Sequence, residues 1–440
     1  MRLAVALPSL EAAAPQRRAI DAMLGCLVDA GHEVEGFAEH DRTGDASPFA
    51  VYHYLRMGER HRTAPFDTAL YPLGRDASPY QSAYGLMQRF PGVVWFIDAV
   101  AHHLVLGGIA LMGDWAAYRR LLDDAYGNGG AAVAQTVAGN WGTGALFRRY
   151  DLVRAVAASQ AHVLAAWPAL ARRIAERLGG RAVDVVPLGL ESDDHGDEEP
   201  AASSTIRSVA VMSVNESYAT SSVRAAAAAL ELDEEMSLRL CVSEPVYKAE
   251  ARPVAEHLGV HERIEWRLTT SPRELAEVAA DSDVLAWFAE ELQGGHHLQL
   301  LRGMAAGKLT VVPRCRLYDD LPAGAVAKLD LGRCLAPSFA SLLRSLDGDA
   351  DLRSGLAAAG RSFARACAGP AAAAELLVTQ LDAAGLPRPA EAPVSARSWE
   401  SVRAAVLDAV LPAGATELAR QRIDEALHEV SSPARAEGGA

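Results

Sequence analysis

Short apolar runs alternate with amphipathic helical stretches along most of this chain, and that rhythm is the strongest limit on its fold. LAVALPSL (3–10) is followed by AIDAMLGCLVDAG (19–31), whose apolar positions fall three and four apart and whose Gly31 suits a helix end. HEVEGFAE (32–39) reads as a second strand. FDTALYPLG (66–74), YQSAYGLMQRFPG (80–92) and VVWFIDAV (93–100) repeat strand, helix and strand. AHVLAAWPALARRIAERLG (161–179) reads as one amphipathic helix and AVDVVPLGLE (182–191) as a buried strand. Apolar strands spaced by helices require crossover connections, so the expected sheet is mostly parallel and doubly wound.

The rhythm breaks once. SDDHGDEEPAASST (192–205) is acidic and lacks apolar periodicity, which marks a linker or exposed loop. It restarts with the strands IRSVAVMSV (206–214), LRLCVS (238–243), RIEWRL (263–268), VLAWFAE (284–290) and LTVVP (309–313), each separated from the next by a helical stretch. At 440 residues the chain exceeds one ordinary core. The division expected is an N-terminal α/β domain over 1–191, a linker over 192–205 and a C-terminal α/β domain over 206–385. Helices follow over 386–430, where SWESVRAAVLDAVL (398–411) is helical, and a tail over 431–440. Ligands in open α/β sheets bind beyond the carboxyl ends of the strands, so the cleft between the sheets is the expected site.

Bulk properties narrow the function. A formal charge of −14 argues against a nucleic-acid surface. Five scattered cysteines without a CxxC suggest neither a zinc site nor a disulfide framework. No run approaches the ~20 apolar residues of a membrane span, and MRLAVALPSL reads as a strand instead of an export signal, so a cytoplasmic protein is expected. No GxGxxG follows the first strand, which argues against a dinucleotide enzyme.

Four passages carry a resemblance: AVDVVPLGLE (182–191), the stretch from HLGVHERIEW to SDVLAWFA (257–289), LLRGMAAGKLTVV (300–312) and YPLGRDASPYQSAYGLMQRFPGVVWFIDAVAHHLV (71–105). In order and spacing they resemble the GT-B glycosyltransferases, more narrowly the retaining family 4 type, over most of residues 1–385. The resemblance implies two Rossmann-like domains facing a cleft, with a nucleotide-sugar bound on the C-terminal side and an acceptor on the N-terminal side. It implies retention of anomeric configuration, no bound metal and no tightly held cofactor. The acceptor would be a carbohydrate, glycolipid, peptide or natural product, and the partners a second copy or another glycosyltransferase. A final helix commonly crosses back to the first domain in this family, a part open to 398–411.

The chain departs from the family pattern in its donor motifs. The family sets two glutamates, with seven residues between them, in the donor loop and following helix. Aligning LLRGMAAG with that helix puts Gly294 and Arg302 at those places, with Glu290 or Glu291 able to supply the first carboxylate only from a longer loop. The basic pair of the first C-domain β–α loop is also absent from SVNESYATSSVR (213–224).

Chemistry then selects the candidates. A departing nucleoside diphosphate needs donors, which backbone N–H groups at a helix start supply. Gly294 and Gly295 let a backbone approach closely, and His296 and His297 stand at the expected helix start; the alternative is a plain turn with solvent-facing histidines. Arg302 meets phosphate, points outward, or turns toward Glu290 or Glu291 as an ion pair. Asn215 either meets phosphate or caps a helix, and Lys248 is the nearest lysine able to replace the missing one. Asp98 ends the strand VVWFI, with His102 and His103 just beyond; carboxylate and imidazole there orient a hydroxyl or relay a proton, or else cap a helix beside a structural histidine pair. Arg75, Tyr80 and Asn140 are the acceptor-side candidates, each equally readable as surface.

Overall fold

The computed structural model describes residues 1–9, 14–39, 47–75, 77–110, 113–190, 205–214, 219–230, 233, 235–242, 245–268, 272–288, 296–330, 335–386 and 389. The first half runs β1 (Arg2–Ala6), α1 (Ala14–Asp29), β2 (Glu33–Ala38), β3 (Ala50–His53), α2 (Met57–Thr63), β4 (Thr68–Leu73), α3 (Ala77–Arg89) and β5 (Val93–Phe96). A helical insertion follows, made of α4 (His102–Val105), α5 (Trp115–Tyr126), α6 (Gly129–Ala138), α7 (Gly144–Arg149) and α8 (Val153–Ala157). The half closes with β6 (His162–Ala165), α9 (Pro168–Arg177) and β7 (Asp184–Val185).

The second half runs β8 (Ser208–Val214), α10 (Ala219–Leu230), β9 (Ser237–Val242), α11 (Pro245–His257), β10 (Ile264–Leu268), α12 (Pro272–Ala280), β11 (Val284–Trp287), α13 (His296–Ala305), β12 (Leu309–Pro313) and β13 (Ala327–Leu329). It ends in α14 (Leu335–Asp347), α15 (Ala350–Ala368) and α16 (Pro370–Ala384).

Every strand pairing among the described residues is parallel. The sheets are ordered β3-β2-β1-β4-β5-β6-β7 and β10-β9-β8-β11-β12-β13, the same winding twice. Leu3 of β1 lies opposite Thr68 of β4, and Val284 of β11 opposite Val209 of β8. The central strands β4, β5, β11 and β12 are buried along their whole length, which is why they read as continuous apolar runs. Strand order reverses between β1 and β4 and between β8 and β11, so each sheet opens a crevice at that point.

Two sequence readings change. Residues 161–179 are not one helix: His162–Ala165 pairs between β5 and β7, and the helix starts only at Pro168. A proline belongs in a helix's first turn, and HVLA gains two ladders and complete burial of residues 163–165 by staying extended. Within 182–191 only Asp184–Val185 forms a strand, since Pro187 has no N–H to continue the ladder. The 398–411 stretch lies outside the described residues. The helix that does cross to the first half is α16, which packs on α1.

The halves meet in several places. The Leu190 N–H donates to the Ala368 carbonyl at 2.6 Å. Gly189 lies so close to Pro370 that a Cβ there would stand 3.1 Å from its Cα. Arg172 of α9 holds Asp320 with two hydrogen bonds of 2.6 and 2.8 Å, and the Trp167 indole reaches the Leu317 carbonyl at 3.4 Å. A single buried cluster runs from Leu3 and Met23 in the first half to Met304 and Leu377 in the second.

Candidate functional site

The site begins where β5 ends. The chain turns after Phe96, and Asp98 accepts the Val100 N–H at 3.0 Å in a short side-chain turn. Asp98 is 4% exposed, and it sits at the carboxyl edge of the sheet where the insertion begins.

His102 and His103 follow, one position apart on α4, and a helix turns them onto different faces. His102 is fully buried. Its Nδ1–H donates to the Tyr150 carbonyl, which can only accept, so Nε2 carries the lone pair and takes the Tyr118 hydroxyl proton at 2.5 Å. Burial pulls its pKa down to about 4, aided by nearby His103 and opposed by the bond to Tyr150. A neutral imidazole with both nitrogens so engaged ties α4 to Tyr150 and Tyr118. His103 is only half-buried, with its ring edge-on to Phe147 at 4.4 Å.

Beneath α4 lies a corner that no local sequence pattern marks. Leu152 is left-handed at φ 58°, a costly conformation for a residue with a Cβ. Its N–H donates to the Tyr126 hydroxyl at 2.8 Å, while buried Asp151 takes Arg177 at 2.8 Å and the Val153 N–H at 3.3 Å. The Asp151 carbonyl accepts the Ala101 N–H at 2.9 Å, tying this corner to the Asp98 turn. Burial pushes the Asp151 carboxyl up despite the Arg177 charge beside it. The partners are separated by about 25 residues in sequence, so no local pattern marks them.

On the acceptor side, Arg75 is half-buried in the turn after β4. Tyr80 is 3% exposed with its ring against Gly74, where a Cβ would stand 2.5 Å away. Tyr80 thus packs under that turn. Asn140 is exposed and left-handed at φ 60° between α6 and α7.

On the second half, Asn215, Glu291, Gly294 and Gly295 lie outside the described residues. Lys248 falls in α11, and His296 and His297 open α13, but their side chains also lie outside the description. The β11-to-α13 connection leaves at the reversal of strand order. Arg302 is 4% exposed on α13, so it does not point outward to solvent. Trp287, the last residue of β11, is fully buried against Gly303, and its indole N–H has no partner among the described residues. No cluster of three or more metal-ligating side chains occurs among the described residues, and no helix there is long and apolar enough to cross a membrane.

No protein-family model matches the chain, and no curated protein matches it in sequence. Solved structures do match it in fold. A glycosyltransferase from Rickettsia africae superposes with a TM-score of 0.57 at 11% identity, over 87% of this chain and 98% of that one. Alr3699/HepE from Anabaena, solved with UDP-glucose, gives 0.58 at 12% identity over 87% and 100%. Sucrose-phosphate synthase from Thermosynechococcus elongatus gives 0.58 at 13% identity over 87% and 100%. With its two identically wound parallel sheets, the chain has the GT-B fold, two Rossmann-like domains facing a cleft.

Proposed function

We propose that this chain is a retaining glycosyltransferase of the family 4-like type, moving a sugar from a nucleotide-sugar donor to an acceptor hydroxyl. The observation that carries the reading is the doubled winding, whose two strand-order reversals give each half a ligand crevice, in a fold that neighbours solved with UDP-glucose share. In the transfer, the bond from the anomeric carbon to the diphosphate oxygen breaks. A bond to the acceptor oxygen forms on the same face, and the hydroxyl proton passes to the departing phosphate. Gly294, Gly295, His296 and His297 serve the diphosphate at the start of α13, with Asn215, Lys248, Glu291 and Arg302 as further donor contacts. Asp98 and His103 face the acceptor from the end of β5, with Arg75 and Asn140 at its edge.

A second reading, a catalytically silent GT-B subunit that binds or scaffolds, is favoured by one specific feature. Arg302 occupies the place of a family glutamate, and an arginine cannot accept a hydrogen bond from a ribose hydroxyl. Calorimetry and hydrolysis assays with UDP-, GDP-, ADP- and dTDP-sugars separate the readings. Binding with slow donor hydrolysis supports the transferase, binding without turnover supports the silent subunit, and binding to none overturns the transferase.

A further inference from the structure

Trp141 is the most exposed large hydrophobic side chain among the described residues, at 77%. Its position is built by the backbone around it. The N–H groups of Gly139, Asn140 and Trp141 donate back to the carbonyls of Gln135, Val137 and Thr136 at 2.9, 2.9 and 3.0 Å, closing the end of α6. Asn140 is held left-handed to let the chain reverse. The indole lies over Gly139, where a Cβ would stand 2.9 Å from its Cδ1. Gly142 rests on Phe147, where a Cβ would stand 2.6 Å from the ring, and the Phe147 ring is the one that His103 meets at 4.4 Å. Two bare glycines thus set an outward-facing indole in a loop whose next residue, Gly142, packs on the ring that His103 meets.

We propose that Trp141 is a stacking platform for a sugar ring of the acceptor, which makes the acceptor a glycan or a glycan-bearing molecule. This rests on the glycosyl-transfer reading for its role. A pyranose presents an apolar C–H face with a rim of hydroxyls. The loop matches it with one flat aromatic face, the Asn140 amide and the Thr143 hydroxyl, and no charge from residue 138 to 145. Membrane docking asks for a broader apolar face set among basic residues, and this loop offers a single apolar ring.

The test uses the full chain with maltotetraose, cellotetraose and chitotetraose as probes, followed by saturation-transfer NMR and titration. At least one tetrasaccharide should bind, Trp141→Ala should weaken it at least tenfold, and Trp141→Phe should stay within about threefold. Equal melting temperatures will show that the variants are folded. No saccharide binding, or equal binding by Trp141→Ala, overturns the proposal, as does Trp141-dependent co-sedimentation with 3:1 phosphatidylcholine–phosphatidylglycerol vesicles in its place. Nucleotide-sugar binding is measured on the same sample. Its failure sinks the transfer reading, whereas saccharide failure beside intact nucleotide binding sinks only the platform.

Discussion

The Tyr118 hydroxyl meets Nε2 of His102 at 2.5 Å, on the ring edge opposite the Tyr150 carbonyl, whose acceptance from Nδ1–H fixes which nitrogen holds the proton. It also separates two neighbouring histidines into different tasks. His102→Ala should therefore lower stability by roughly 2 kcal/mol or more, through an unpaired Tyr118 hydroxyl and a cavity, as read by urea unfolding. His103→Ala and Asp98→Ala should instead reduce donor hydrolysis by about a hundredfold or more, and for His103→Ala the melting temperature should stay near that of the parent. A folded His103→Ala with full turnover would remove His103 from the mechanism.

The buried state of His102 also predicts a pH effect. Its folded pKa of about 4 lies below the ordinary value near 6.5, so the unfolded chain binds the proton first as pH falls. The stability it confers is complete above about 6.5 and is lost as pH falls toward 4, up to roughly 3 kcal/mol. His102→Gln should flatten unfolding free energies measured between pH 7.5 and 4.5. Parallel losses in both proteins would refute this origin.

Glu35 governs a lower window. Burial acts to raise its pKa, but hydrogen bonds from Arg60 and Arg2 and their charges outweigh it and hold the carboxyl below the usual range. Its contribution is therefore present above the ordinary glutamate pKa and is lost as pH falls below it. Glu35→Gln should cost roughly 3 kcal/mol at neutral pH, because it leaves two arginines under-paired, and it should lose less on acidification than the parent. Denaturant titrations at pH 7 and 3.5 check both parts.

Two glycines give opposite outcomes for one substitution. A Cβ at Gly92, just before β5, would stand 2.4 Å from the Ala69 carbonyl oxygen, and backbone cannot swing aside. Gly92→Ala should cost about 1–3 kcal/mol. Gly85 is an exposed position inside α3 with nothing within 4 Å of its would-be Cβ, so Gly85→Ala should gain about 1 kcal/mol. Thermal unfolding of both variants tests the contrast.

The strands were legible because parallel sheets bury both faces, so β4, β5, β11 and β12 are apolar but for Thr68 and Thr310. β6 was not, because HVLAAWPALARR keeps a helical apolar spacing across the strand and the helix alike. Asp98 could be found from its place at a strand end. Telling His102 from His103 could not be done by pattern, since it depends on Tyr118 and Tyr150 closing around one ring and Phe147 around both. Asp151 and Arg177 were invisible for the same reason: their meaning lies in a contact that only the folded chain makes.

The packing of α16 on α1 brings the last described helix back onto the first. A gene cut at the acidic stretch after residue 191 would leave the first fragment without the helix that covers α1, and the second with an orphaned apolar arm. A two-plasmid version of this protein would therefore behave as a complementation pair: each fragment sticky alone, soluble when made together. A cleaner dissection would carry 370–385 along with the N-terminal piece.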